Sequence, residues 1–168
     1  MPKGIEIERK YIIRTPDLRE LSVFPGYTVS RITQTYLLTS DGSTHRVRKR
    51  EYDDRVIYTE TKKIRIDEMS VEEREREISE GEYIALLQNA RTDSRPLSKT
   101  RHTIDYMGHT IEIDVYPPWS RYCIMETELE SRDEEVAFPS VICIYREVTG
   151  DKSYSNAAMA KRFPPEPI

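Results

Sequence analysis

Ile5-Glu6-Ile7-Glu8-Arg9-Lys10-Tyr11-Ile12 decides how the chain is read. The stretch alternates in polarity, and successive side chains of a strand point to opposite faces. Glu6, Glu8 and Lys10 therefore share one face of a strand, while Ile5, Ile7 and Tyr11 share the other. Two carboxylates and an ammonium in line on one side of a strand are an unusual choice, and the rest of the chain repeats it.

Charges recur at i and i+2 in seven segments: Glu6/Glu8/Lys10, Arg46/Arg48, Glu60/Lys62, Glu75/Glu77, Lys99/Arg101, Glu112/Asp114 and Glu126/Glu128. Each falls in a stretch with strand character. Predicted strands cover residues 4–14, 29–38, 44–51, 55–64, 71–78, 97–106, 110–116 and 121–130. Arg50 is in phase with Arg46 and Arg48, Tyr58 with Glu60 and Lys62, and Glu73 with Glu75 and Glu77. Residues 110–116 alternate most cleanly, with Ile111, Ile113 and Val115 opposite Glu112, Asp114 and Tyr116. Residues 72–80 have a composition that also suits a charged helix, and the first part is read as strand.

Predicted helices are short. Thr15 is the expected N-cap of a helix with Pro16 at its first position, ending near Leu21. A second runs from Glu80 to Ala90 on an apolar stripe of Tyr83, Ile84, Leu87 and Ala90. Residues 132–145 read as a short helix and loop. Ser155 caps a last helix that runs to Arg162, before Phe163-Pro164-Pro165.

A solvated outer face on an antiparallel sheet explains any one of these charged rows. Seven such segments are harder to explain that way, because like charges side by side cost energy unless a ligand or an opposing strand compensates. An antiparallel barrel puts alternate residues of every strand into a common interior. With the charges inward, carboxylates and basic residues line one channel, and the apolar set packs outward under helices. Carboxylates from several strands suit hard divalent cations such as Mg²⁺ or Mn²⁺. Arginine and lysine rows suit phosphate oxygens. A polyanionic phosphate ester or polyphosphate carrying metals fits both.

The bulk numbers agree with a polar folded chain. The 168 residues are 37% hydrophobic and 33% charged, and are expected to form a single domain over 1–168. A net charge of -4 argues against a nucleic-acid footprint. No Walker A loop, G-x-G-x-x-G, H-E-x-x-H or G-x-S-x-G motif is present. Cys123 and Cys143 read as two buried reduced thiols, and Trp119 as a packing or rim residue. His45, His102 and His109 are scattered and read as strand or surface residues. The first residues lack an apolar h-region, so a cytoplasmic location is expected, with no membrane partner.

Glu6-Ile7-Glu8-Arg9-Lys10 resembles the ExExK signature of the CYTH superfamily, the triphosphate tunnel metalloenzymes. Arg46-x-Arg48 resembles the family's basic strand, and Lys62 its lysine, with Lys63 as a register alternative. Glu75-x-Glu77, Lys99-x-Arg101, Glu112-x-Asp114 and Glu126-x-Glu128 resemble the later motifs in the right order. Val148-Thr149-Gly150-Asp151-Lys152 through Tyr154-x-Asn156 is similar to the tail of short bacterial members. The resemblance covers essentially the whole chain.

It implies an α+β fold: an eight-stranded antiparallel barrel forming a charged tunnel, helices packed outside, and a C-terminal helix. It implies Mg²⁺ or Mn²⁺ as cofactor and metal-dependent hydrolysis of a triphosphate, inorganic tripolyphosphate first. Class IV adenylate cyclase, thiamine or nucleoside triphosphatase, and a non-catalytic polyphosphate-binding protein are the alternatives. By position, Glu6, Glu8 and Glu128 would hold metal, with Glu126 close by. Glu75, Glu77 and Asp114 would serve a second metal or the attacking water. Lys10, Arg46, Arg48, Lys62 and Arg101 would grip phosphates, and Lys99 would be the general acid. The segment from Lys152 would cover one tunnel mouth. The expected partner is a small polyphosphate or nucleoside triphosphate, and a homodimer is left open.

Overall fold

The computed structural model describes residues 3–168. Its strands are β1 (Lys3–Arg14), β2 (Thr28–Leu37), β3 (Thr44–Glu51), β4 (Val56–Arg65), β5 (Ser70–Ile78), β6 (Leu97–Tyr106), β7 (His109–Val115), β8 (Tyr122–Leu129) and β9 (Ile144–Glu147). Its α-helices are α1 (Leu18–Leu21), α2 (Glu80–Leu86) and α3 (Asn156–Lys161). All strand pairings are antiparallel, in the order β5-β4-β3-β2-β6-β7-β8-β1, and β1 pairs back to β5. The eight strands thus close into a barrel.

The period-two pattern selects the strands, and closure leaves their polar faces inside. Tight turns fix the registers. Tyr106 pairs with His109, so Met107 and Gly108 form a two-residue hairpin loop, both with positive φ (49° and 82°). That is the turn whose twist matches the strands it joins.

Strand β1 is the seam. Residues 3–7 pair with β5, and residues 11–13 pair with β9 on the same edge, where β5 has diverged. The short β9 and irregular backbone replace the helix expected in 132–145. Phe138, Val141 and Ile142 of that segment cover an outer core of Tyr11, Ile13, Leu21, Ile104, Ile111, Ile113, Cys123 and Met125. A second outer core, Leu37, Val47, Ile78 and Tyr83, lies under α2. Its stripe is Tyr83, Leu86 and Leu87, at i, i+3 and i+4, and Ile84 falls off that face and is exposed. The N-cap of α1 is Asp17 rather than Thr15, since the Asp17 carboxylate accepts from Arg19 N–H. Strand β5 runs unbroken to Ile78, so the helical composition of 72–80 loses to barrel pairing.

A third core is inside the barrel. Ile12, Tyr36, Tyr116, Tyr122 and Ile124 are in phase with the inward charges and pack with Trp119, Val148, Tyr154 and Met159. The sequence pattern assigned apolar residues to the outside only. Here they fill one end of the bore and carry the C-terminal segment. Trp119 is a packing residue, its Nε1 donating to Pro164 C=O at 2.9 Å. Both cysteines are free; Cys123 is buried, but Cys143 is exposed just before β9. No helix among the described residues is long and apolar enough to cross a membrane.

Candidate active site

The inward faces of the strands line a cavity of about 220 Å³, walled by Glu6, Glu8, Arg46, Arg48, Arg50, Lys63, Glu73, Glu75, Arg101, Glu112, Glu126, Glu128 and Asn156. A second cavity of about 400 Å³ adjoins it through Glu8, Arg46, Lys63 and Asn156. It also touches Lys10, Tyr36, Arg65, Lys152 and the first turn of α3. The charged rows converge there because barrel closure leaves each inward face nowhere else to point.

At the apolar end the charges are paired. Lys99 Nζ lies 2.7 Å from Asp114 Oδ2. Arg101 grips Asp114 with two bonds of 2.8 and 2.9 Å and reaches Glu112 at 2.6 Å. Lys10 Nζ lies 3.3 Å from Glu126. Burial opposes ionisation of Asp114 and Glu126, yet the cations win. Arg101 and Lys99 hold Asp114 well below the usual carboxylate range, and Lys10 and Lys99 bring Glu126 down to about 2. Burial lowers Lys99 to about 7; Arg101 and Arg48 add to that, outweighing Asp114.

Two buried arginines lack a close ion pair. Arg46 and Arg48 are buried, and among the described residues no carboxylate is within ion-pair distance of either. Among the described residues Arg48 bonds only the Gln34 amide oxygen, at 3.0 and 3.3 Å. Arg46 leaves Nε without a partner; burial opposes its charge, yet Tyr36, Glu73 and Glu75 raise it above the ordinary guanidinium value. Burial first, then Arg46 and Arg101, pulls Arg48 down to about 9. A buried cation without a counter-charge is costly, and an anion in the cavity relieves that cost.

Across the bore, carboxylates are in surplus. Glu126 first, then burial, raises Glu8 to about 7. Burial and a hydrogen bond to Glu6 raise Glu73 to about 8, and burial and the Glu6 charge raise Glu128 to about 7. Glu6 contacts both Glu73 and Glu128, and Lys63 lies 3.3 Å from it. Carboxylates in hydrogen-bond contact must share protons, and hard oxygen donors crowded in this way fit a divalent cation. Among the described residues no three His, Cys, Asp or Glu side chains already form a metal cage, so the fit is one of donor chemistry.

The structure brings together most of the residues singled out from the sequence. Glu6, Glu8, Arg46, Arg48, Glu75, Arg101, Glu126 and Glu128 line the bore and Lys10 the second cavity. Lys99 and Asp114 are on inward faces in phase with Arg101 and Glu112, but their side chains are fully buried at the apolar end. Lys62 does not face inward. It pairs with His45, whose ring bonds Glu60 on the outer face, and Lys63 takes the inward position. Glu77 is exposed beyond the cavity. Asp114 is the counter-ion of Lys99 and Arg101 rather than a neighbour of Glu75. Glu75 instead accepts from Thr61 Oγ1 at 2.9 Å. Lys152 lines the second cavity at the C-terminal side.

Several bore residues were missed or left without a role. Arg50, Glu73 and Glu112 were placed in the charged rows but given no role, and Arg65 follows from the Lys63 register. Gln34 and Tyr36 are on β2, whose inward row carries no charge to reveal it. Asn156 had no signal beyond its place in the tail. Gly150 starts that tail with φ 77°, and a Cβ there would meet Glu68 Cβ at 2.9 Å. Glycine therefore lets the chain turn back over the bore.

A closed antiparallel barrel with a bore of inward carboxylates and cations is the architecture of a triphosphate tunnel fold. Among solved structures, the inorganic triphosphatase NE1496 is 28% identical over 95% of this chain and 96% of its own, with a TM-score of 0.58. The PH1819 protein from Pyrococcus horikoshii (19% identity, 76% of this chain and 80% of its own, TM-score 0.58) shares the fold. So does HpAC1 from Hippeastrum, which has a dominant triphosphatase activity (18% identity, 75% and 80%, TM-score 0.52). No family model and no curated protein matches the chain.

Proposed function

We propose that the chain hydrolyses a triphosphate in this bore, with inorganic tripolyphosphate as the first substrate. The observation that carries the reading is the pair Arg46 and Arg48, buried with no carboxylate at ion-pair distance among the described residues, beside a surplus of acidic oxygens. The likeness to NE1496, an inorganic triphosphatase, over nearly the full length of both chains supports hydrolysis.

In this reading Arg46, Arg48, Lys63 and Arg101 hold the phosphate oxygens, with Lys10 and Lys152 at the C-terminal side. Phosphoryl transfer depends mainly on such positioning and charge stabilisation. Glu6, Glu8 and Glu128, with Glu126 beside them, are the residues that would hold Mg²⁺ or Mn²⁺. A cation bound there supplies charge neutralisation and a more acidic bound water. Water attacks the terminal phosphorus as the bridging P–O bond breaks. Glu75 takes the water proton, Lys99 gives its proton to the leaving oxygen, and the products are orthophosphate and pyrophosphate. Lys99, lowered to about 7, can release and regain a proton near neutral pH.

The second cavity, with Val71, Ala157 and Ala158 in its wall, has room for an organic group. It favours including triphosphate esters among the substrates. The test is product analysis on tripolyphosphate, ATP and thiamine triphosphate with Mg²⁺ or Mn²⁺. Orthophosphate from tripolyphosphate is expected. Conversion of ATP to cAMP without orthophosphate release would replace the hydrolase reading, and no turnover of any substrate would leave a binding protein.

A further inference from the structure

Asn156 is the first residue of α3, a helix capped by Ser155, whose hydroxyl accepts from Ala158 N–H at 3.1 Å. Its side chain forms part of the bore wall. The Asn156 Oδ1 accepts two hydrogen bonds, from the Tyr116 hydroxyl at 2.7 Å and from Lys99 Nζ at 3.3 Å.

An ammonium has three N–H donors and no acceptor. Asp114 takes one from Lys99 at 2.7 Å, and Asn156 takes a second. The Tyr116 ring stands 5.7 Å from Nζ and limits the side chain's freedom on that side. Among the described residues no hydrogen bond takes the third N–H. The same tail reaches another bore lysine, since Lys10 Nζ donates to the Tyr154 carbonyl at 3.0 Å. Two turns of the C-terminal segment thus engage lysines from β1 and β6.

We propose that Asn156 is a positioning residue. Its amide oxygen, itself fixed by the Tyr116 hydroxyl, orients the Lys99 ammonium so that the remaining N–H faces the bound phosphate chain. Asp114 alone leaves the ammonium free to rotate about one contact, and Asn156 supplies the second fixed direction. The proposal rests on Lys99 being the proton donor. It extends that reading by tying the donor's orientation to the C-terminal segment.

Asn156→Ala and Asn156→Asp in the full chain test it. Asn156→Ala removes the acceptor. It is expected to lower kcat on tripolyphosphate about ten-fold to a hundred-fold, as small misplacements of a reacting group do, with KM little changed and melting close to that of the unsubstituted protein. Asn156→Asp keeps the acceptor for Lys99 and Tyr116 but adds a negative charge to an anion site. It is expected to raise KM while retaining most of kcat. Opposite splits in the two variants mark positioning. Equal losses in both, or an unchanged kcat in Asn156→Ala, overturn it.

A second readout does not need turnover. In ¹⁵N-lysine-labelled protein at mildly acid pH, the Lys99 ammonium protons are expected to exchange slowly, to exchange fast in Asn156→Ala, and to stay slow in Asn156→Asp. Exchange unaffected by Asn156→Ala overturns the proposal. If the exchange responds as expected but tripolyphosphate is not hydrolysed, the functional reading fails and the positioning stands.

Discussion

Lys99 Nζ lies 2.7 Å from Asp114 Oδ2, and both side chains are fully buried. This pair is not neutral in its surroundings, because Arg101 shares Asp114 and Arg48 is close by. Asp114 therefore stays ionised, while Lys99 is the cation whose charge is least secured. Lys99→Ala is expected to lower kcat by about 10²–10⁴, the range for a positioned acid, with a much smaller change in KM. Lys99 must be protonated to act. In the free enzyme it sits near 7, so kcat/KM is expected to decline as pH rises through that value, and steady-state pH profiles check it. Loss of that limb in Lys99→Ala would support the assignment, and an unchanged kcat would remove it.

Arg48 is expected to show opposite effects on stability and binding. With its guanidinium bonded only to Gln34, Arg48→Gln removes an uncompensated buried charge. The variant is expected to melt at a higher temperature than the parent without ligand. It is also expected to lose most of the stabilisation that tripolyphosphate gives the parent, because only the folded state binds. Thermal melting with and without tripolyphosphate measures both. A lower melting temperature without ligand would mean that Arg48 is already compensated.

The carboxylate surplus sets a pH dependence. Glu8, Glu73 and Glu128 have folded values of about 7, 8 and 7 against 4.5 when unperturbed. Such groups keep protons that the unfolded chain releases, so their contribution is whole below 4.5 and is lost as pH rises through the folded values. The metal-free protein is therefore expected to lose stability between about pH 5 and pH 8, and Mg²⁺ or Mn²⁺ to restore it at the alkaline end. Glu126, held at about 2, works in the other direction: its contribution is present above its unfolded value and is lost as pH falls towards 2. Melting curves across this range, with chelator and with metal, test the point. Glu8→Gln or Glu128→Gln should flatten the loss and weaken the metal response.

The register of β4 gives a sharper contrast. Lys63 faces Glu6 in the bore, and Lys62 faces outward beside His45. Lys63→Ala is expected to raise KM for tripolyphosphate several-fold, while Lys62→Ala changes neither kcat nor KM. Kinetics of the two variants side by side decide it, and the reverse result would place β4 one residue out of register.

The barrel and most of its bore were legible because a single rule, period-two alternation, governs eight strands at once. Lys62 shows where that rule fails. Two lysines in a row carry no phase of their own, and Glu60, in phase with Lys62, points out to His45 and Arg76 rather than in. Charge rows reveal charged strands only, so Gln34 and Tyr36 on β2 went unseen, although Gln34 holds Arg48 and Tyr36 lines the second cavity. Asp114 was placed correctly on the inward face, but its partners depend on cross-strand register, and Arg101 opposite it claims its carboxylate. The apolar end of the bore and the short β9 follow from packing against the tail, which local periodicity does not encode. The same holds for Asn156, whose contacts are 57 and 40 residues away in the chain.

Titration calorimetry of tripolyphosphate with Mg²⁺ into Lys99→Ala, with and without Arg48→Gln, tests the account most directly. Saturable binding of one tripolyphosphate per chain in Lys99→Ala, lost or greatly weakened when Arg48 is also replaced, is the predicted result. No binding in Lys99→Ala, or binding that is indifferent to Arg48, would contradict a bore built around a polyphosphate anion.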